Sequence, residues 1–173
     1  SGIVHAEVSP KQFLEQGGTL EIIQLWINLP ARLKMTTPAY QGLQRDAIPA
    51  IAEDDGKVTL NLIAGQWNEH SGPVRSLTGV FMSTIQMQAG GRVRLPGLLA
   101  RNVLLYVVRV AVILGGGRIG AMHLAALGLE GESIELLAER DSVVLFGHAL
   151  PQDEPGVAPG ASVVHPRPHS PRH

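Results

Sequence analysis

Apolar and polar residues alternate with a period of two along much of the chain, and that period predicts strands whose two faces differ. Lys57 to Ala64 sets Val58, Leu60 and Leu62 against Thr59, Asn61 and Ile63, and Gly65 ends the run. Glu21 to Leu29 places Ile23, Leu25, Ile27 and Leu29 on one face and Gln24, Trp26 and Asn28 on the other. A tryptophan among polar neighbours predicts an enclosed but not purely apolar face, such as a barrel lumen, or a packed indole with its N–H satisfied. Gly79 to Gln88 is a further strand, followed by a turn at Gly90-Gly91. Asn102 to Leu114 predicts one long strand, because its β-branched and aromatic residues are poor helix material. Gly115-Gly-Gly117 predicts a hairpin turn, and short strands follow at Arg118–Ile119, His123–Leu127, Ser133–Leu137 and Ser142–Phe146. Short strands at such regular spacing predict an all-β sandwich or barrel.

Other stretches break the pattern. Lys11 to Gln16 fits one helical turn, stopped by Gly17-Gly18. Pro30 ends the Glu21–Leu29 run, and Lys34 to Tyr40 is irregular. Ala50 to Gly56 reads as an exposed linker closing in an Asp-Gly turn. Its three successive acids, Glu53, Asp54 and Asp55, lack the spaced oxygen pattern of a calcium loop. From Pro151 the composition changes: six prolines and three histidines fall in the last 23 residues. That segment reads as a disordered tail with solvated histidines at 165, 169 and 173.

Length and charge narrow the function classes. At 173 residues the chain can bury one good core or two small ones. With 17% charged residues and a net charge of −1, it offers no basic surface for direct nucleic-acid contact or for an anionic membrane. The absence of cysteine excludes disulfides, zinc–thiolate sites and thiol catalysis. Val103 to Leu114, the longest apolar run, is interrupted by Arg109 and too short to span a bilayer. Ser1 to Glu7 lack the basic and apolar regions of a signal peptide. Together these features give the expectation of a cytoplasmic protein without a membrane partner.

The candidate chemistry lies in Ser1-Gly-Ile-Val-His-Ala-Glu7. In a strand, residues i and i+2 face the same way, about 6–7 Å apart along the chain. His5 and Glu7 would therefore lean to one side. Imidazole plus carboxylate suits iron, nickel, copper or zinc. The same spacing also describes an ordinary hydrogen-bonded pair on a half-exposed strand, and two donors do not close a metal site.

The ordered blocks Gly2-Ile-Val-His-Ala-Glu7, Gln24-Leu-Trp-Ile-Asn-Leu-Pro30, Lys34-Met35 and Pro38-Ala-Tyr-Gln41 resemble the pirin family. So do Ile48-Pro49, Val58 to Gly65, Leu104-Leu-Tyr-Val-Val108 and His123 to Ser133. The resemblance covers nearly all of residues 1–150. It implies a bicupin, two cupin-type β-barrels (jelly rolls) facing each other, with a mononuclear Fe(II) site in the N-terminal one. The family takes its metal ligands from a His-x-His motif and a later His-x-Glu motif. His5 and Glu7 match the second motif, while no His-x-His occurs in this sequence. The expected organisation is therefore the remainder of an N-terminal, metal-binding cupin at 1–45, with that barrel incomplete, a C-terminal cupin at 46–150 and the tail at 151–173.

By the same resemblance, the implied activity is quercetin 2,3-dioxygenase chemistry on a flavonol-like small molecule. Glu7 would then be both metal ligand and catalytic base, and His5 a ligand to Fe(II) or another divalent metal. The alternative is a non-catalytic, iron-dependent regulator that binds a transcription-related protein partner. Three positions depart from the family. Val8 stands for a usual methionine, Ile22-Ile23 for a common Gly-Phe, and Val110 for a glycine that a bulge or tight bend would want.

Overall fold

The computed structural model describes residues 11–154. The chain divides into two compact units, one of Ser1–Tyr40 with Gln152–His173 and a larger one of Gln41–Pro151.

In the smaller unit the expected helical turn is present as α1, Lys11–Gln16. It ends where the Gly17 N–H donates to the Phe13 carbonyl at 2.8 Å. Gly17 sits at φ +67°, the left-handed cap conformation that glycine adopts at no steric cost. The strand expected over Glu21–Leu29 is not formed. Alternation supplies two faces, but a strand needs a neighbouring ladder, and among the described residues none pairs with this segment. Ile22, Ile23, Leu25 and Ile27 stay in solvent while Leu29 is half-buried, and Trp26, expected on an enclosed face, is 79% exposed. A 3-10 turn at Ala31–Leu33 follows Pro30. The carboxylate of Glu154 accepts the Ala31 N–H at 2.8 Å, placing an acid at that turn's N-terminus. The Gln152 amide nitrogen donates to the Asn28 carbonyl.

The larger unit is all β. Its strands are β1 (Ala50–Glu53), β2 (Val58–Ala64), β3 (Gln66–Trp67), β4 (His70–Ser71), β5 (Phe81–Met87) and β6 (Arg92–Pro96). They continue with β7 (Asn102–Arg109), β8 (Ala111–Leu114), β9 (Gly117–Gly120), β10 (His123–Ala125), β11 (Ser133–Leu137) and β12 (Ser142–Ala149). A six-stranded sheet runs β1-β2-β5-β12-β7-β10 and a four-stranded sheet β6-β11-β8-β9, with β3-β4 as a separate hairpin. Every strand pair is antiparallel.

The core lies between the two sheets. The six-stranded sheet contributes Leu60, Leu62, Ile85, Leu105, Val107, Val144 and Phe146, and the four-stranded sheet contributes Val93, Leu95, Val112 and Leu136. The alternation read over Lys57–Ala64 appears directly in β2, whose alternate residues 58, 60, 62 and 64 are buried and whose others are half-buried. A smaller apolar cluster of Ala64, Val80, Met82, Val108 and Leu145 is distinct from this core. Thus β5 buries both its faces, which is why its apolar residues follow no clean alternation.

Two further expectations are corrected. Ala50–Glu53 is no linker: it pairs with β2 from Ala50↔Asn61 to Glu53↔Val58 and buries Ile51. The Asp-Gly turn itself is present at Asp54–Gly56. Asn102–Leu114 is two strands in different sheets, broken at Val110. There φ is +66°, and the Ala121 N–H donates to the Val110 carbonyl at 2.7 Å. The Ser142 hydroxyl braces the corner by donating to the Ala111 carbonyl at 2.7 Å.

A β-branched residue in the left-handed region is strained by about 1–2 kcal/mol, which the family's glycine avoids. Val110→Gly is expected to relieve that strain and, after the lost packing of a half-buried side chain, raise stability by about 1 kcal/mol. Thermal unfolding would show a midpoint a few degrees higher. An unchanged or lower midpoint would show that side-chain packing at the corner outweighs the strain.

Candidate functional site

His5 and Glu7, the expected metal pair, lie outside the described residues. Among the described residues no group of three or more His, Asp or Glu side chains could hold a metal ion. The donor chemistry of the pair suits a divalent metal in kind but falls short in number.

The described residues instead form a cleft at one end of the larger unit, about 370 Å³ in volume. Strand ends build it: the β2–β3 junction, the start of β5, the end of β6, the approach to β7 and the end of β12. Its chemistry comes from Trp67, Phe81, Arg101 and His148. Phe146 and His148 are two apart on β12 and so share a face. His148 stands opposite Phe81 of β5 in the ladder register. Their rings stack at 4.9 Å between centroids with only 4° between planes. Phe146 meets His148 edge-on at 5.8 Å from beneath the core, and Trp67 tilts against Phe81 at 6.0 Å. The Trp67 indole N–H donates to Glu53 Oε1 at 2.6 Å, which fixes the ring from the edge strand β1.

Burial first, and the neighbouring Arg101 guanidinium second, together lower the His148 imidazole pKa from 6.5 to about 4. The ring is therefore neutral at neutral pH. Arg101 Nη1 lies 3.4 Å from His148 Nδ1. A guanidinium can only donate, so Nδ1 accepts and the ring proton sits on Nε2. Among the described residues no carboxylate pairs with Arg101. The cleft thus holds one uncompensated positive charge beside a wall of aromatic faces.

Sequence reasoning singled out none of these four residues. They come from segments as far apart as positions 67 and 148, with no motif joining them. The one local signal is the Phe-x-His spacing of Phe146 and His148, which puts two rings on the same face near a strand end. The three acids near Glu53 are likewise more than a solvated turn. Besides the Trp67 bond, Asp54 Oδ2 accepts the Arg92 N–H at 2.8 Å.

Two antiparallel sheets enclosing one core, with a cleft at the strand ends, define a cupin-type all-β barrel. A crystal structure of quercetin 2,3-dioxygenase from Acinetobacter baumannii superposes with a TM-score of 0.75 and 28% identity, over 82% of this chain and 49% of that one. No protein-family model matches the chain. A Pseudomonas aeruginosa protein named putative quercetin 2,3-dioxygenase is 32% identical over 167 residues, 96% of this chain and 58% of that protein. A pirin-like protein of Caulobacter vibrioides is 34% identical over 156 residues, 89% of this chain and 54% of that protein. Over nearly its whole length the chain is similar to these pirin-like proteins. It spans somewhat more than half the length of the relatives it matches. No helix among the described residues is long and apolar enough to cross a membrane.

Proposed function

We propose that the chain serves pirin-type, iron-dependent oxygenation of a flavonol-like small molecule, the quercetin 2,3-dioxygenase reaction. His5 and Glu7 are two of the donors to Fe(II) in this reading. The observation that carries it is the similarity along nearly the whole chain to proteins bearing that name, at 32% identity in Pseudomonas aeruginosa and 28% in Acinetobacter baumannii. Glu7 has the chemistry of a base as well as of a ligand, since a carboxylate beside a substrate hydroxyl can take its proton. His5, its ring lone pair given to the metal in this reading, would bind and orient rather than accept a proton.

Two protein donors hold a divalent ion weakly, so His5 and Glu7 need further donors for a tight centre. The test is iron content after anaerobic exposure to Fe(II), for the chain and for the double variant His5→Ala, Glu7→Ala. The chain is expected to retain iron that the variant does not, and to turn over no quercetin when no second protein is present. Equal iron in both would remove His5 and Glu7 as donors. Sustained quercetin turnover by the chain alone would show that more donors are present than this pair.

A further inference from the structure

The cleft of the larger unit makes demands on its occupant that are independent of the metal reading. One wall is aromatic, formed by the parallel-stacked Phe81 and His148 rings and the tilted Trp67. Flat apolar walls select flat apolar ligands, which stack offset or edge-on. The charge is a single guanidinium, Arg101, without an acidic partner among the described residues. A guanidinium presents a planar fork that matches a carboxylate with two parallel hydrogen bonds. The neighbouring imidazole adds a second donor through Nε2–H, because Nδ1 is taken by Arg101. Trp67 cannot swing freely, since its N–H is held by Glu53 at 2.6 Å. The volume, about 370 Å³, is at the small end of ligand clefts and accommodates a single substituted ring.

We propose that this cleft is a binding site for a small aromatic carboxylate, with the carboxylate on Arg101 and the ring against Trp67, Phe81 and His148. A neutral His148 leaves Arg101 as the charge that selects the anion at neutral pH. Burial of the imidazole supports that state.

Benzoate is the probe, with benzamide as its uncharged counterpart and acetate as the anion without a ring. Titration of the full chain at pH 7 by nuclear magnetic resonance reads both affinity and place. The chain has two tryptophans, Trp26 and Trp67, so a Trp67→Phe sample assigns the two indole N–H signals. Benzoate is expected to bind in the submillimolar range, to shift the Trp67 signal and to leave that of Trp26 unmoved. Benzamide and acetate are each expected to bind at least tenfold more weakly. Arg101→Gln is expected to lose benzoate binding at least tenfold while keeping the thermal midpoint. Equal affinity for benzamide would overturn the role of the charge, and equal affinity for acetate that of the ring. Benzoate that leaves the Trp67 signal unmoved, or that fails to bind at 10 mM or about a hundred times the expected constant, would overturn the site. These comparisons use the unaltered chain, so they hold even if Arg101→Gln unfolds.

Discussion

Gly72→Ala is expected to destabilise the larger unit by about 3 kcal/mol, toward the upper end of overpacking costs. A Cβ at Gly72 would lie 2.6 Å from the Ala64 nitrogen, 2.7 Å from the Ala64 Cα and 2.7 Å from the Ile63 carbonyl carbon. All three are backbone atoms, so no side-chain rotation relieves the clash. The approach is fixed from both sides. The Gly72 N–H donates to the Gly65 carbonyl at 2.9 Å and the Val74 N–H to the Ile63 carbonyl at 3.0 Å. A parallel bridge joins Ala64 to Val74 just beyond. Alanine would have to break one of these bonds or push the chain off the end of β2. Urea denaturation would show a lower midpoint with an unchanged slope, since the surface exposed on unfolding stays the same. The displacement would also move the β3–β4 hairpin that carries Trp67, so benzoate affinity should fall in the same variant. A wild-type midpoint would mean that the chain after β4 yields at little cost.

The second large effect is expected at Phe146. It is 1% exposed, lies in the core between the sheets, and meets Phe81 and His148 edge-on with centroids 5.8 Å away in each case. Phe146→Ala should cost about 3–5 kcal/mol, the sum of lost transfer energy and the cavity left behind. Against a typical total of about 5–15 kcal/mol, that leaves the unit near its folding threshold. Phe146→Leu should keep most of the volume and cost about 1 kcal/mol. Denaturation midpoints of the pair decide it: similar losses for Ala and Leu would mean that the ring's shape, not the filled volume, holds the site.

The strands that were legible in the sequence are those whose one-sided burial imprints a period on the side chains. β2 and β11 are of that kind, and the hairpin turn at Gly115-Gly116 has the glycines that positive φ requires at both centres. Where burial was not one-sided, the pattern misled. Ala50–Glu53 is strand with only Ile51 as an apolar signal of size. Glu21–Leu29 carries a strand's alternation but lacks a ladder among the described residues. The bend at Val110 was foreshadowed only by the residue that the resembling family prefers there, because valine itself argues for extended backbone. The cleft was illegible for a topological reason. Antiparallel strands bring alternate loops to the same end, so Trp67, Phe81, Arg101 and His148 meet without any sequence spacing in common.

The ends of both sheets bear on how the molecule behaves at high concentration. The outermost strands are β1 and β10 in one sheet and β6 and β9 in the other, and each is three to five residues long. β6 turns Arg92, Arg94 and Pro96 outward. Short borders with cations and a proline give an incoming chain few consecutive hydrogen bonds to copy. The barrel should therefore resist runaway polymerisation through its sheets, leaving the exposed apolar residues of the 20–27 segment as the place where self-association would start.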